Sequence, residues 1–456
     1  MAPPAASLPR LFLLAHVVAV AVAASGDTTT AAGQFRVNCG ASVWAADSEG
    51  RVWDGDDASR FAPFVSGVAA GAPREDPSLP SAVPYMTARV FDSSYTYSFL
   101  VRPGRVFLRL YFYPAAYAGR GAGDALFGVA AGGVTLLRGF NASQAALALE
   151  VAYLVREFSL YVSAGSLDVT FAPSSSGHGH AYLVPAINAV GGRGPCLKAP
   201  PHVLWARGSA RPPRALLPDA ALQTMYRLNV GGTPVSPGDD SDLLYRSWDD
   251  DAPYIFGAAF GVSYVKDSNV GIQYSASVPP YVAPASVYAS ARSMGPAAQF
   301  NLNYNLTWLL PVDAGFRYLL RLHFCEIRYP IRRLNQRSFY VYVNNQTAQE
   351  GMDVIALSGG IGRPVYADYV VAVTAGQTDL WVALHPDVNT LPQYYDAFLN
   401  GLEVFKLQTY DRLAAPSPQV PDPEAGGSSN AAQARSKRNV AAWAAAAGGL
   451  VAVLVG

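Results

Sequence analysis

Two stretches of this chain, about 190 residues apart, repeat one another in the same order. Phe35-Arg36-Val37-Asn38-Cys39-Gly40 returns as Tyr226-Arg227-Leu228-Asn229-Val230-Gly231, Trp53-Asp54-Gly55-Asp56-Asp57 as Trp248-Asp249-Asp250-Asp251, and Ala88-Arg89 as Ala291-Arg292. Further on, residues 104–112 match 315–324 with one residue inserted, and Ala164-Gly165-Ser166-Leu167-Asp168 matches Ala375-Gly376-Gln377-Thr378-Asp379. Order is kept while the spacing drifts from about 190 to about 215 residues, as in a duplicated domain whose loops have diverged. Whatever one copy forms, the other must therefore form as well. The 456 residues also exceed one ordinary core and suit two domains of roughly 150 to 200 residues each.

Each copy reads as short strands. From 299 to 308 polar and apolar residues alternate, which predicts a strand with Phe300, Leu302, Tyr304, Leu306 and Trp308 on its dry face. After the Pro311-Val312-Asp313-Ala314-Gly315 turn, Tyr318, Leu320, Leu322 and Phe324 repeat the pattern and predict an antiparallel partner. Phe339-Tyr340-Val341-Tyr342-Val343 runs into a turn at Asn344-Asn345-Gln346-Thr347, and Leu380, Val382 and Leu384 mark a later strand. No long stretch between the termini shows helical periodicity, so the expected class is all-β, two tandem jelly-roll-like sandwiches. Three acceptor sequons predict glycosylation at Asn141, Asn305 and Asn345, each expected on an exposed face.

Charge and the two ends narrow the class of function. Lys and Arg number 33 and Asp and Glu 33, at 14% charged, which leaves no basic footprint for nucleic acid. Residues 1–24 read as a secretory signal: Arg10 precedes an apolar run of about 12 residues and a small-residue cleavage pattern at 21–24. Cys39, Cys196 and Cys325 then form an odd set in an oxidising compartment, so at most one disulfide closes within the chain and its pairing stays open. Cys325 is expected to be a buried thiol acting as a small apolar residue. Residues 440–456 are uncharged and apolar, about 17 residues spanning some 26 Å against the roughly 30 Å of a bilayer core. They are expected to be an incomplete membrane helix, with a disordered alanine-rich tail as the alternative. The expected layout is signal 1–24, first domain 35–190, linker 191–224, second domain 225–408, flexible stalk 409–438 and membrane helix 439–456.

Several motifs carry a specific resemblance. Thr87-Ala88-Arg89-Val90-Phe91, Tyr95-Thr96-Tyr97-Ser98-Phe99, Leu244-Tyr245-Arg246-Ser247-Trp248, Pro253-Tyr254-Ile255-Phe256-Gly257 and Ala291-Arg292-Ser293-Met294-Gly295-Pro296 occur in order, with 301–308, 321–326 and 344–348 after them. Over residues 35–406 the chain resembles the tandem malectin-like ectodomain of plant receptor-like kinases, the FERONIA and Catharanthus receptor-like kinase group. That resemblance implies a single-pass plasma-membrane receptor facing the cell wall. It implies as partners basic signalling peptides of the rapid alkalinisation factor type, small GPI-anchored co-receptors and pectin-like wall polymers. Relatives of this kind carry a cytoplasmic serine/threonine kinase; here no Gly-x-Gly-x-x-Gly loop, His-Arg-Asp loop or Asp-Phe-Gly motif is present. The chain is thus not expected to be an enzyme, nor to use a cofactor or metal.

Candidate sites follow from the same comparison. Tyr394-Tyr395-Asp396 resembles the malectin Tyr-Tyr-Asp segment, which with loop aromatics holds a sugar, so Tyr288, Tyr329, Tyr395 and Asp396 are candidate carbohydrate-binding residues; packing or interface roles are the competing assignment. Around Tyr182 the first copy has no such segment, which argues against a sugar cleft there. Asp249, Asp250 and Asp251 lack the alternating spacing of a calcium loop and read as a solvated acidic loop, or as a surface for a basic peptide. A wall-polysaccharide lectin or a kinase-less decoy is the alternative to a receptor ectodomain, and a glycosidase is the weakest reading because carboxylate separation cannot be taken from spacing.

Overall fold

The computed structural model describes residues 34–414 apart from 58–60, 62–66, 164, 175–180, 184–187, 192–201, 205–218, 242–243, 258–259 and 410–411. The expected signal, Cys196, the stalk beyond 414 and the membrane segment lie outside the described residues. Among the described residues no helix is long and apolar enough to cross a membrane. The architecture is all-β with a few short helices, and the duplication is visible strand by strand.

In the first copy Tyr95–Leu100, Ser166–Pro173, Phe127–Ala131 and Val134–Phe140 form a four-stranded sheet in that order. Leu306–Pro311, Asp379–Pro386, Phe339–Val343 and Gln346–Met352 form its counterpart in the second. Each sheet packs its apolar side chains against strands of a shared twelve-stranded sheet. Phe127, Val129 and Val169 meet Leu108, Leu110 and Phe112 in one core, and Trp308, Val341 and Val382 meet Tyr318, Leu320 and Phe324 in the other. At about 25 cal/mol per Å² of buried apolar area, rings and branched chains of this size dominate the stability of each sandwich.

The order shared by the two copies corresponds to a duplicated buried ion pair. Asp56 accepts from Gly40 N at 2.7 Å, from Arg89 Nε at 2.7 Å and from the Tyr97 hydroxyl at 2.9 Å. Asp251 accepts from Gly231 N at 2.9 Å, from Arg292 Nε at 2.7 Å and from Trp308 Nε1 at 2.9 Å. Both carboxylates are 0% exposed, so the ion pair and the extra donors together replace the water each has lost. Gly40 and Gly231 sit at φ +77° and +70°, and a Cβ there would stand 2.2 and 2.3 Å from the carbonyl oxygens of Ala88 and Ala291. Only glycine lets the turn close on the strand bearing the arginine.

The two copies are joined by backbone pairing. Leu154–Val162 of the first lies antiparallel to Leu222–Asn229 of the second, with Phe158 opposite Gln223 and Ser159 opposite Leu222. The shared sheet is buried on both faces at this junction. Arg109 Nε donates to Glu157 at 2.6 Å, Arg227 Nη2 to Glu157 at 2.7 Å and Arg227 Nε to Glu403 at 2.8 Å. His323 Nε2 lies 3.1 Å from Glu403, and its Nδ1 lies 2.9 Å from the Tyr288 hydroxyl. With Glu403 ionised, Nε2 carries the proton and Nδ1 accepts from Tyr288, a neutral imidazole; burial lowers its pKa in the same sense.

Three boundaries differ from expectation. The 299–308 alternation does not make one strand: Ala298–Asn301 is a helical turn and the strand begins at Leu306, leaving Phe300 73% exposed. Asn301 donates to the carbonyls of Gly295 and Tyr395, and Asn303 to that of Gln299, so asparagine side chains satisfy the backbone groups of a turn. The expected linker contributes to the sheet, since His202–Val203 pairs in parallel with Val365–Ala372 and Leu222–Asn229 starts inside it. The expected stalk begins later than 409, because Leu413 is fully buried in the first core and its N–H donates to Thr135.

Burial opposes ionisation of Glu157, but Arg227 and Arg109 hold its carboxyl far below the usual range. A depressed folded pKa stabilises above the unfolded value of about 4.3 and is lost as pH falls through the folded one. Glu157→Gln is expected to cost about 3 kcal/mol at pH 7 by stranding two buried guanidinium groups. The gap to wild type should narrow below pH 4, measured by urea unfolding at each pH.

Candidate ligand site

The second copy carries a cavity of about 370 Å³ built by loops at the strand ends. Tyr264 reaches it from the edge strand Val262–Val265, Arg337 from the start of Phe339–Val343, and Tyr394, Tyr395 and Asp396 from the segment before Phe398–Leu399. Val262, Pro296 and Ile331 make the remaining wall largely apolar.

Arg337 organises the base of this cavity. Its Nη1 donates to Glu326 at 3.0 Å and its Nη2 lies 3.0 Å from Asp396 Oδ2. Asp396 Oδ1 also accepts from the backbone N–H groups of Met294 and Gly295 at 3.0 and 3.2 Å. Burial raises the Asp396 carboxyl, against the pull of Arg337 and those N–H groups. Burial likewise works against the Arg337 charge, yet Glu326 and Asp396 hold its pKa above the ordinary value. Both carboxylates are thus committed to holding the loops together. The Tyr264 hydroxyl is buried beside Arg337 and interacts with it, so neither group is open to the cavity. The arrangement offers rings and a phenol, the chemistry of binding rather than of bond cleavage.

Of the four expected sugar-binding residues, three gather at this cavity and one does not. Tyr395 and Asp396 line the cavity, and Tyr329, 43% exposed, adjoins it between the lining residues Arg328 and Pro330. Arg332 lies 4.3 Å over the Tyr329 ring and donates to its hydroxyl at 2.9 Å. Tyr288 is elsewhere, 0% exposed in the second core and bonded to His323, because its short helix Ala285–Tyr288 turns it inward. Asp396 is corrected as a direct sugar ligand, since both its oxygens are already engaged. Tyr264 and Arg337 were missed: neither lies in a motif, and only the fold brings them beside Tyr395.

The acidic triplet is also corrected. Asp251 is the core partner of Arg292, and Asp250 accepts from Ala252 N at 3.0 Å, which leaves Asp249 as the one exposed carboxylate of the three. Among the sequons Asn305 and Asn345 are exposed. Asn141 is not: it caps the helix Ala142–Leu149 by accepting from Gln144 N at 3.0 Å, while its Nδ2 donates to the Gly123 carbonyl at 2.7 Å. With the residue 9% exposed and that nitrogen already bonded, there is little room for a glycan, so Asn141 is better described as a helix cap. Cys325 is a buried free thiol, its pKa pushed up by burial.

A malectin-like domain model matches residues 215–407. The receptor-like protein kinase FERONIA of Arabidopsis thaliana is 43% identical over 98% of this chain and 51% of its own length, and ANXUR1 of the same plant 38% identical over 92% and 49%. This chain therefore spans about half the length of the curated relatives it matches. The crystal structure of the plant receptor-like kinase FER superposes with a TM-score of 0.77 at 45% identity, over 84% of this chain and 99% of that one. The chain belongs to the malectin-like ectodomain family of FERONIA-type receptor kinases. A structure of the plant peptide RALF23 in complex with FER and LLG2 matches this malectin-like chain with a TM-score of 0.76 at 44% identity, over 84% of this chain and 98% of that one.

Within this malectin-like ectodomain Asp396→Asn is expected to lower stability by about 2–4 kcal/mol, because it leaves Arg337 short of a buried counter-charge. Asp249→Asn should stay within about 0.5 kcal/mol. Urea unfolding of both variants checks the contrast.

Proposed function

We propose that this chain is the extracellular sensing region of a plant plasma-membrane receptor-like kinase, binding secreted basic peptides of the rapid alkalinisation factor type together with a GPI-anchored co-receptor. The observation that carries the reading is the match at 44% identity, over 98% of its length, to FER in a structure holding RALF23 and LLG2. In this reading the chain supplies recognition, and phosphoryl transfer belongs to a cytoplasmic half of the receptor. Asn305 and Asn345 are the sequons open to glycosylation on the secretory route. Within the acidic triplet Asp251 is committed to the core, which leaves Asp249 and the half-buried Asp250 as the carboxylates able to meet a cation.

A second reading is favoured by the cavity beside Tyr395. The tyrosine rings in its lining suit a neutral or weakly acidic glycan unit by stacking. The same receptor could bind wall polymer there and peptide elsewhere.

Surface plasmon resonance on the immobilised chain separates these readings. A rapid alkalinisation factor peptide should bind at least ten-fold more tightly with the GPI-anchored protein present than without it. Equal and weak signals in both channels would remove the peptide reading. Acidic oligosaccharide binding that survives Tyr395→Ala would move the glycan site out of this cavity.

A further inference from the structure

A second cavity, of about 240 Å³, lies in the cleft between the two copies, and its lining shares no residue with the Tyr395 cavity. Its floor is the shared sheet, with Arg109 opposite Glu157 on paired strands and Arg227 on the strand from the second copy. These charges are spent on one another. Arg109 Nε and Arg227 Nη2 both donate to Glu157, at 2.6 and 2.7 Å, and Arg51 pairs with Asp47 at 2.6 Å and with Glu49 at 3.1 Å. Of the lining acids only the exposed Asp249 has a side chain with no ion-pair or hydrogen-bond partner among the described residues.

The groups left to explain are hydroxyls. Tyr85 and Tyr111 line the cavity at 3% and 7% exposure, and their phenols make no hydrogen bond among the described residues, although buried phenols ordinarily find a partner. Unlike the outer guanidinium nitrogens of Arg109, these oxygens are not sealed from solvent. Tyr153, edge-on to Tyr85 at 4.9 Å, brings another unbonded phenol, which burial and the nearby Asp249 both push up in pKa. From the second copy come Ser247, exposed at the mouth, and Tyr245, whose ring is held by Arg36 and Arg51 at 5.0 and 5.4 Å. A hydroxyl both donates and accepts. The free groups of the cleft therefore match a ligand edged with hydroxyls, apolar on its faces and without net charge.

We propose that the cleft between the copies binds one neutral sugar residue, its hydroxyls on the phenols of Tyr85, Tyr111 and Tyr153 and on Asp249, its ring against the tyrosine side. A volume below the roughly 300 Å³ at which drug-sized sites begin holds a single ring. The carboxylate of Asp249 accepts from neighbouring sugar hydroxyls, and with Glu49 it turns an acidic sugar away. Because floor and walls come from both copies, an occupied site ties them together. The site lies apart from the Tyr395 cavity and does not rest on the receptor reading.

The test titrates the full chain with methyl glycosides of glucose, galactose, xylose and arabinose, and with glucuronate and galacturonate, by calorimetry and saturation-transfer NMR. At least one neutral glycoside should bind saturably, about ten-fold more tightly than either uronate. Tyr85→Phe and Tyr111→Phe, which remove a hydroxyl and keep the ring, should each weaken that glycoside roughly five-fold. Ser247→Trp, which fills the mouth from an exposed position, should abolish its binding. Uronates that bind as well as the neutral glycosides, no saturable binding by any glycoside, or binding unchanged in the folded variants would each overturn the proposal. If the phenylalanine variants do not fold, Ser247→Trp decides alone.

Discussion

The bond from Arg227 to Glu157 is the contact on which the tandem arrangement depends. It crosses from one copy to the other at 2.7 Å with both groups almost fully buried, beside two register pairs of backbone contact between the adjoining strands. A bare ion pair in such a place would lose more by desolvation than it gains by attraction. Here the loss is offset by sharing. Glu157 takes three partners, Arg227 bridges two carboxylates, and Glu403 passes the chain on to His323 and Tyr288. Each member satisfies the next, so removing one leaves its neighbours charged and dry. Such a network specifies one register for the two halves where apolar packing alone would tolerate several.

Each copy repeats that logic locally. A glycine turn, an aspartate and an arginine form a buried clasp between the first strand and the strand bearing the arginine, in both copies. The third donor has diverged from the Tyr97 hydroxyl to the Trp308 indole N–H without loss of the hydrogen bond. Duplication has therefore preserved an electrostatic requirement rather than a residue. That is why Asp251, in a run of acids, is a core residue while Asp249, two positions away, is exposed.

What could be read beforehand follows the range of the interactions. Gly40 with Gly231, Arg89 with Arg292, the strand around Phe339 and the strand carrying Leu380, Val382 and Leu384 were legible, because repetition and alternation are properties of adjacent residues. The second buried face of the shared sheet was not. Leu319, Arg321 and His323 alternate with apolar core residues as a solvent face would, and only pairing with distant strands covers them. The same limit applies to the candidate site. Tyr395 was found through a three-residue motif, whereas Tyr264 and Arg337 reach its cavity from strands far apart in sequence. Asn301 misled for the opposite reason: its local alternation is real, but its side chain caps a turn and stops the strand from starting there.

The distribution of satisfied charge marks the scaffold. In the clasps and along most of the junction every charged group is answered, so those residues are accounted for by folding alone. Unpartnered buried polar atoms are scattered through both copies, Arg36 Nε, Tyr95 Oη, Trp248 Nε1 and Asn344 Nδ2 among them as well as the Arg109 fork, so they mark places where packing has outweighed hydrogen bonding. Arg109 keeps its charge balanced through Glu157 at Nε, so its idle Nη groups cost hydrogen bonds but leave no unpaired charge.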